Sequence, residues 1–162
     1  MSILYYLSNC FLLMLPILGW NLLLAKALPP AYQNENWNSV PRTLKIVENA
    51  LRTTVFVFTV FLRLEIRNGI QLSGLVIYSI GLGLYFASWM VQIRFSNYGW
   101  SKNIIAFAAP AYTSLIWLWG IGFIGQHLLI NVVYAYWIYL VLSVSFVAVH
   151  TLHSILAFKN LK

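Results

Sequence analysis

Five long apolar runs separated by short polar breaks set the pattern of this chain. Each is long enough for the roughly 20 residues that an α-helix needs to cross the hydrocarbon core of a bilayer. The pattern predicts helices near 3–26, 46–64, 70–93, 104–126 and 132–157, with no repeat and no second domain in 1–162. The breaks run from Leu28-Pro29-Pro30 to Lys45, over Arg67-Asn68-Gly69, from Arg94 to Asn103 and from Gln126 to Asn131. The second run is the least regular, because Glu48, Asn49 and Arg52 occupy its first two turns. The connection 29–45, with its proline pair, asparagines and Trp37, is expected to lie on the membrane surface. The expected fold is an all-α integral membrane protein, a bundle of five transmembrane helices.

Composition strengthens this reading. Charged residues make up 8% of the chain against 61% hydrophobic, whereas a soluble domain carries roughly 25% charged residues. A surface so poor in charge must use lipid as part of its solvent. The net charge of +7 does not point to nucleic acid, since the basic residues stand singly at the ends of apolar runs. Anionic lipid headgroups are the expected partners of those residues. Ala25-Lys26-Ala27 imitates a signal-peptidase site, but no Lys or Arg precedes the run and the run exceeds the usual apolar core of a signal peptide. It is expected to be a retained helix. Cys10 is the one cysteine and reads as a small packing residue.

Lys26, Arg42, Lys45, Arg94, Lys102, Lys159 and Lys162 fall on one side of a five-span arrangement, and only Arg63 and Arg67 on the other. The asymmetry predicts an outside N-terminus and a cytoplasmic C-terminus in a bacterial inner (plasma) membrane. Trp37, Tyr98, Trp100 and Tyr134 stand near the expected boundaries, where amphipathic rings prefer the interface.

Small and polar residues mark the packed face of a membrane helix better than hydrophobicity does. The third run carries Gly74, Tyr78, Gly81, Tyr85, Ser88 and Gln92 at alternating spacings of four and three, which form one helical stripe. Tyr136, Tyr139, Ser143, Phe146, His150, His153 and Ala157 do the same in the fifth run, and Ala106, Ala109, Thr113 and Gly120 in the fourth. Helix packing alone accounts for most of this pattern.

Depth is more specific. Counting about 1.5 Å per residue from the basic side, Glu48, Arg52, His150 and His153 fall roughly 3–11 Å inside. Asn21, Ser88, Trp89, Tyr112 and Thr113 lie roughly 7–13 Å inside. The other half is nearly pure Leu, Ile, Val, Phe and Gly. Intramembrane ionisable residues are costly, so their convergence points to a cavity opening toward the cytoplasm. Glu48 precedes Arg52 by four residues, the favourable order for a helical ion pair, and Asn49 is expected to tie that pair to a neighbour. Pro110 interrupts the fourth run and is expected to leave the carbonyl of Ala106 without its helical donor.

The candidate ligand site is therefore Asn21, Glu48, Asn49, Arg52, Ser88, Trp89, Tyr112, Thr113, His150 and His153. In it Arg52 contacts an anionic group, Glu48 orients Arg52, the two imidazoles hydrogen-bond, and Trp89 and Tyr112 form a stacking wall. His150, His153 and Glu48 could in principle ligate a metal, but spacing of three between histidines is weak evidence and no metal or cofactor is expected. His127 stands at the opposite end of the bundle from His150, so the two are not expected to share a haem. No nucleophile elbow, phosphate loop, dinucleotide fingerprint or zinc-protease motif occurs, and there is no Asp to hold Mg²⁺.

The segments Pro41-Arg42-Thr43-Leu44-Lys45-Ile46-Val47-Glu48-Asn49-Ala50-Leu51-Arg52 and Gly99-Trp100-Ser101 through Ala106-Phe107-Ala108-Ala109-Pro110-Ala111-Tyr112-Thr113 resemble a family of small bacterial integral membrane proteins. That resemblance implies a helical membrane fold and brings no chemistry with it. In size and helix count the chain is also similar to the tryptophan-rich sensory/translocator proteins, five-helix bundles that bind porphyrins and sterols. Leu28-Pro29-Pro30 faintly matches their Trp-Pro-Pro segment, but the surrounding tryptophan pattern is missing and no ligand residue carries over. The expected function is binding of a small amphipathic or lipid-like ligand. A lipid-modifying enzyme using His150 or His153 as base, and an accessory subunit in a homo- or hetero-oligomer, are the alternatives.

Overall fold

A computed structural model describes residues 7–28, 32, 40–95 and 103–160. Among these residues the chain is helical, with two isolated β-bridges and no strand. The first helical segment, Cys10–Ala27, is an α-helix α1 (Leu15–Leu24) flanked by 3-10 turns Cys10–Met14 and Ala25–Ala27. It is followed by α2 (Arg42–Phe61), α3 (Gly69–Arg94), a one-turn α4 (Ile104–Phe107), α5 (Ala109–Ile124) and α6 (Trp137–Lys159). Among the described residues, three helices are long and apolar enough to cross a membrane: Cys10–Ala27, α3 and α6. Their outward faces suit lipid. On α3, Leu72, Val76, Ile80 and Leu84 are exposed at spacings of four, opposite the buried Gly74, Tyr78, Gly81 and Tyr85.

The other two expected spans depart from that description for identifiable reasons. Every stretch of eighteen residues in α2 holds at least three charged side chains, drawn from Arg42, Lys45, Glu48 and Arg52. The fourth run is split at Ala108, which leaves α5 at 16 residues, about 24 Å of helix. The split follows from Pro110, which has no N–H to donate to Ala106. The carbonyl freed in this way is not abandoned: it accepts from the side-chain amide of Gln92 on α3, buried at 1% exposure.

Boundaries shift as well. The segment Cys10–Ala27 is set off at its start by Asn9, which is extended and caps the first turn by accepting from Phe11 N–H at 3.1 Å, while residues 3–6 of the expected span lie outside the described residues. The second helix begins at Arg42, directly after Pro41, so residues 42–45 are already helical. It stops at Phe61 because Leu62–Leu64 becomes the centre of a small backbone ladder. Cys10 N–H donates to Leu62 O (2.8 Å) and Leu64 N–H to Ser8 O (3.0 Å) on one side. Arg63 N–H donates to His127 O (2.8 Å) and Leu129 N–H to Phe61 O (2.8 Å) on the other. Extended backbone at a helix end is thereby satisfied internally. The sixth helix starts at Trp137, later than expected, since residues 133–135 are irregular. Pro29, Pro30, Trp37, Tyr98, Trp100, Lys102 and Lys162 lie outside the described residues.

Glycine sets how closely the central pair of helices approaches. A Cβ on Gly74 would stand 2.8 Å from Phe123 Cβ and 2.9 Å from Gly120 O, and one on Gly81 would run into the backbone of Trp117. Gly120 meets the backbone of Tyr78 in the same way. Thus α3 and α5 touch backbone to backbone, as small residues permit in apolar surroundings where no hydrophobic drive pulls helices together. The stripe expected on the third run is buried except at Ser88, and that on the fifth except at Tyr136 and His150. On the fourth, Ala106 and Gly120 are buried while Ala109 and Thr113 are partly exposed, and the inner face runs instead through Pro110, Ser114, Trp117 and Ile121.

Candidate functional site

Glu48 faces inward from α2 at 2% exposure, and three basic side chains converge on its carboxylate. Arg52, one turn along the same helix, pairs with Oε1. His150 of α6 lies with Nδ1 2.9 Å from Oε1, and His153 places Nδ1 against Oε2. The spacing of three on α6 brings both imidazoles to one side of that helix, as read from the sequence. A carboxylate only accepts, so each Nδ1 carries a proton and donates to it. The cluster joins α2 to α6 across the bundle. No group of three His, Cys, Asp or Glu among the described residues is arranged to hold a metal ion; Glu48 is engaged as a hydrogen-bond acceptor by both imidazoles.

The open side of the cluster meets an aromatic cavity of about 390 Å³. Arg52 and His150 form its polar wall. The Phe146 ring stacks on His150 with centroids 5.5 Å apart and carries the Arg52 guanidinium 5.9 Å from its centroid. Facing them are Trp20 of α1, Tyr85 and Trp89 of α3 and Trp117 of α5. Trp20 is held by stacking on Phe86 at 4.1 Å. Asn21 also lines the cavity, and its side-chain carbonyl accepts from the Tyr85 hydroxyl at 2.7 Å, which ties α1 to α3. The volume falls toward the lower end of the roughly 300–1,000 Å³ typical of small-molecule sites.

A second cavity of about 310 Å³ adjoins the first and shares Leu28, Trp89, Pro110 and His150 with it. Tyr32 closes its far side, stacked on Phe107 at 4.3 Å and donating its hydroxyl to Phe107 O at 2.7 Å. Burial pushes the Tyr32 phenol above its ordinary range, which keeps it a donor. The gap left by the α4–α5 break, with Pro110 in place of a regular turn, is part of the wall of both cavities.

Of the ten residues expected at the site, six come together. Asn21, Arg52, Trp89 and His150 line the cavity, and Glu48 and His153 stand directly behind it. The other four do not. Asn49 is exposed, since one residue past Glu48 a helix has turned by about 100°. Tyr112 is 39% exposed on the outer side of α5, so it supplies no stacking wall. Ser88 and Thr113 turn their hydroxyls back to the carbonyls of Tyr85 and Ala109. Depth alone placed them with the site; helical phase puts them elsewhere.

No family model, curated protein or solved structure matches this chain. What the site can do has to be read from its own geometry. Most of the cavity wall is made by residues that sequence reasoning left out of the site, among them Trp20, Tyr85, Pro110, Ser114, Trp117 and Phe146. Tyr85 and Phe146 stand four residues before Trp89 and His150 on stripes already legible as inward, so spacing could have recovered them. Trp20 and Trp117 gave no such signal, because tryptophan is equally at home at an interface or facing lipid.

Proposed function

We propose that this protein is a five-span membrane protein that binds a small amphipathic molecule in the cavity between its helices. In this reading Cys10–Ala27, α2, α4 with α5, α3 and α6 all cross the bilayer. The ends bearing Lys26, Arg42, Lys45, Arg94 and Lys159 face the cytoplasm of a bacterial inner membrane. The basic residues there engage anionic headgroups. The observation that carries the proposal is the composite wall of the larger cavity: aromatic rings on five helices, with a cationic and an imidazole side chain at one edge. Such a site suits a molecule with an apolar body and one polar end.

The test is native mass spectrometry from a non-ionic detergent, with extraction of whatever small molecule is retained. Leu24, partly buried in the cavity wall, offers a block that leaves the Glu48 cluster intact. A stoichiometric molecule present in the wild type and missing from folded Leu24→Trp is the expected result. A bare monomer, or retention unchanged by Leu24→Trp, refutes the proposal. A defined multimer without ligand favours an accessory subunit.

One observation supports catalysis as a second reading. Glu48 fixes His150 with Nδ1 as donor, which leaves Nε2 as the basic nitrogen of a cavity-lining ring, the arrangement used by general bases. A lipid-modifying enzyme would then lose turnover in His150→Gln while retaining its bound substrate. A bound molecule recovered chemically unchanged after prolonged incubation with every class of co-reactant tried argues for binding alone.

A further inference from the structure

The polar groups on the cavity wall are unbalanced. The indole N–H groups of Trp20 and Trp117 are buried without a hydrogen-bond acceptor, although both side chains line the cavity. An indole nitrogen donates only, and an orphaned buried donor is rare enough to call for an explanation. Arg52 adds further donors, since Glu48 engages one of its terminal nitrogens. Asn21 spends its carbonyl on the Tyr85 hydroxyl and so presents its amide N–H groups. Acceptors are already taken: both Glu48 oxygens by the surrounding basic groups, Asn21 Oδ1 by Tyr85. What remains on the wall is His150 Nε2 and the hydroxyl oxygens of Ser114 and Tyr85, fewer acceptors than the donors they face.

From this imbalance we infer that the cavity selects an anionic single-chain amphiphile, one whose carboxylate or phosphate head supplies acceptor atoms to Arg52, Trp20 and Trp117. The inference rests on the ligand-binding reading above and names the head that the ligand must carry. A head gains affinity here only if it brings acceptor atoms to these donors. An anionic oxygen does so with the stronger, charge-assisted hydrogen bonds. An ammonium head brings only donors and a positive charge beside Arg52.

The experiment holds the chain constant and varies the head. Delipidated protein in a non-ionic detergent is titrated with dodecanoate, dodecyl phosphate, dodecanol and dodecylamine, and adducts are counted by native mass spectrometry. The anions are expected to bind about tenfold more tightly than dodecanol, with dodecylamine weakest. Trp117→Phe, which keeps the ring and removes the N–H, is expected to lower affinity for the anions by about tenfold and for the alcohol by less. Trp20→Phe serves the same purpose on a partly exposed residue should Trp117→Phe not fold. The stronger of the two anions assigns the natural head to a fatty acid or to a phosphorylated lipid. Equal binding of all four heads, or a preference for the amine, overturns the selectivity while leaving the cavity as a binding site. Binding of none of them, or binding undiminished by Leu24→Trp, removes the site and the inference together.

Discussion

Gln92 and Pro110 should be energetically coupled, and the coupling can be isolated with a double-mutant cycle. Pro110 leaves Ala106 O without a helical donor, and Gln92 Nε2 supplies one from α3. Replacing Gln92 with Leu orphans that carbonyl, at a cost of about 1–3 kcal/mol for a buried polar group. The same change removes Gln92 Oε1, itself buried without a partner, so the single variant alone is ambiguous. In a Pro110→Ala background the restored N–H of residue 110 can satisfy Ala106 O, and Gln92→Leu then costs little there. The gain from deleting Oε1 is common to both backgrounds and cancels from the cycle. Interhelical hydrogen bonds in membranes average about 0.6 kcal/mol and reach about 1.7, so a coupling of about 1 kcal/mol is the expected value. Equilibrium unfolding of the four proteins in mixed micelles, driven by the mole fraction of SDS and followed by far-UV circular dichroism, measures it. Additivity within about 0.3–0.5 kcal/mol would refute the reasoning, because distant or unlinked sites behave in that way.

Further expectations test the other contacts. Gly81→Ala and Gly120→Ala each drive a methyl into the backbone of the facing helix and should destabilise by about 1–3 kcal/mol in the same unfolding assay, whereas Gly83→Ala, with open space around it, should be close to neutral. Glu48→Ala strips the shared acceptor from Arg52, His150 and His153; a loss of about 3–5 kcal/mol, or failure to accumulate, is expected, and a Tm unchanged from wild type would show that the cluster contributes nothing to the fold. Cys10 is fully buried against Leu62 and Gly125, so maleimide should label it only after unfolding; rapid labelling of the native protein would place Cys10 on an accessible surface.

How much of this was legible depended on the kind of interaction. The inward stripes of α3 and α6 could be read because small and polar residues recur at helical spacing, as from Gly74 to Gln92. The meeting of Glu48 with His150 and His153 was legible as well, since charged groups deep in apolar runs have few partners to choose from. Asn49, Ser88, Tyr112 and Thr113 matched the site in depth and missed it in phase. Each stands next to a residue that does face inward: Glu48, Trp89, Ala111 and Ser114. The early stop of α2 at Phe61 carried no local signal at all, because it depends on extended segments 8–10 and 127–129 arriving on either side.

By itself, then, the sequence determined the helical class, the apolar segments and the ionisable cluster, all of which follow from composition and from the period of one helix. Only the tertiary structure decided which faces meet. The answer came from Gly81 against Trp117, from the α4–α5 break sealed by Gln92, and from the cavity that remained beside it. Helix phase is fixed by packing with partners distant in sequence, and the hydropathy of a single helix does not encode it.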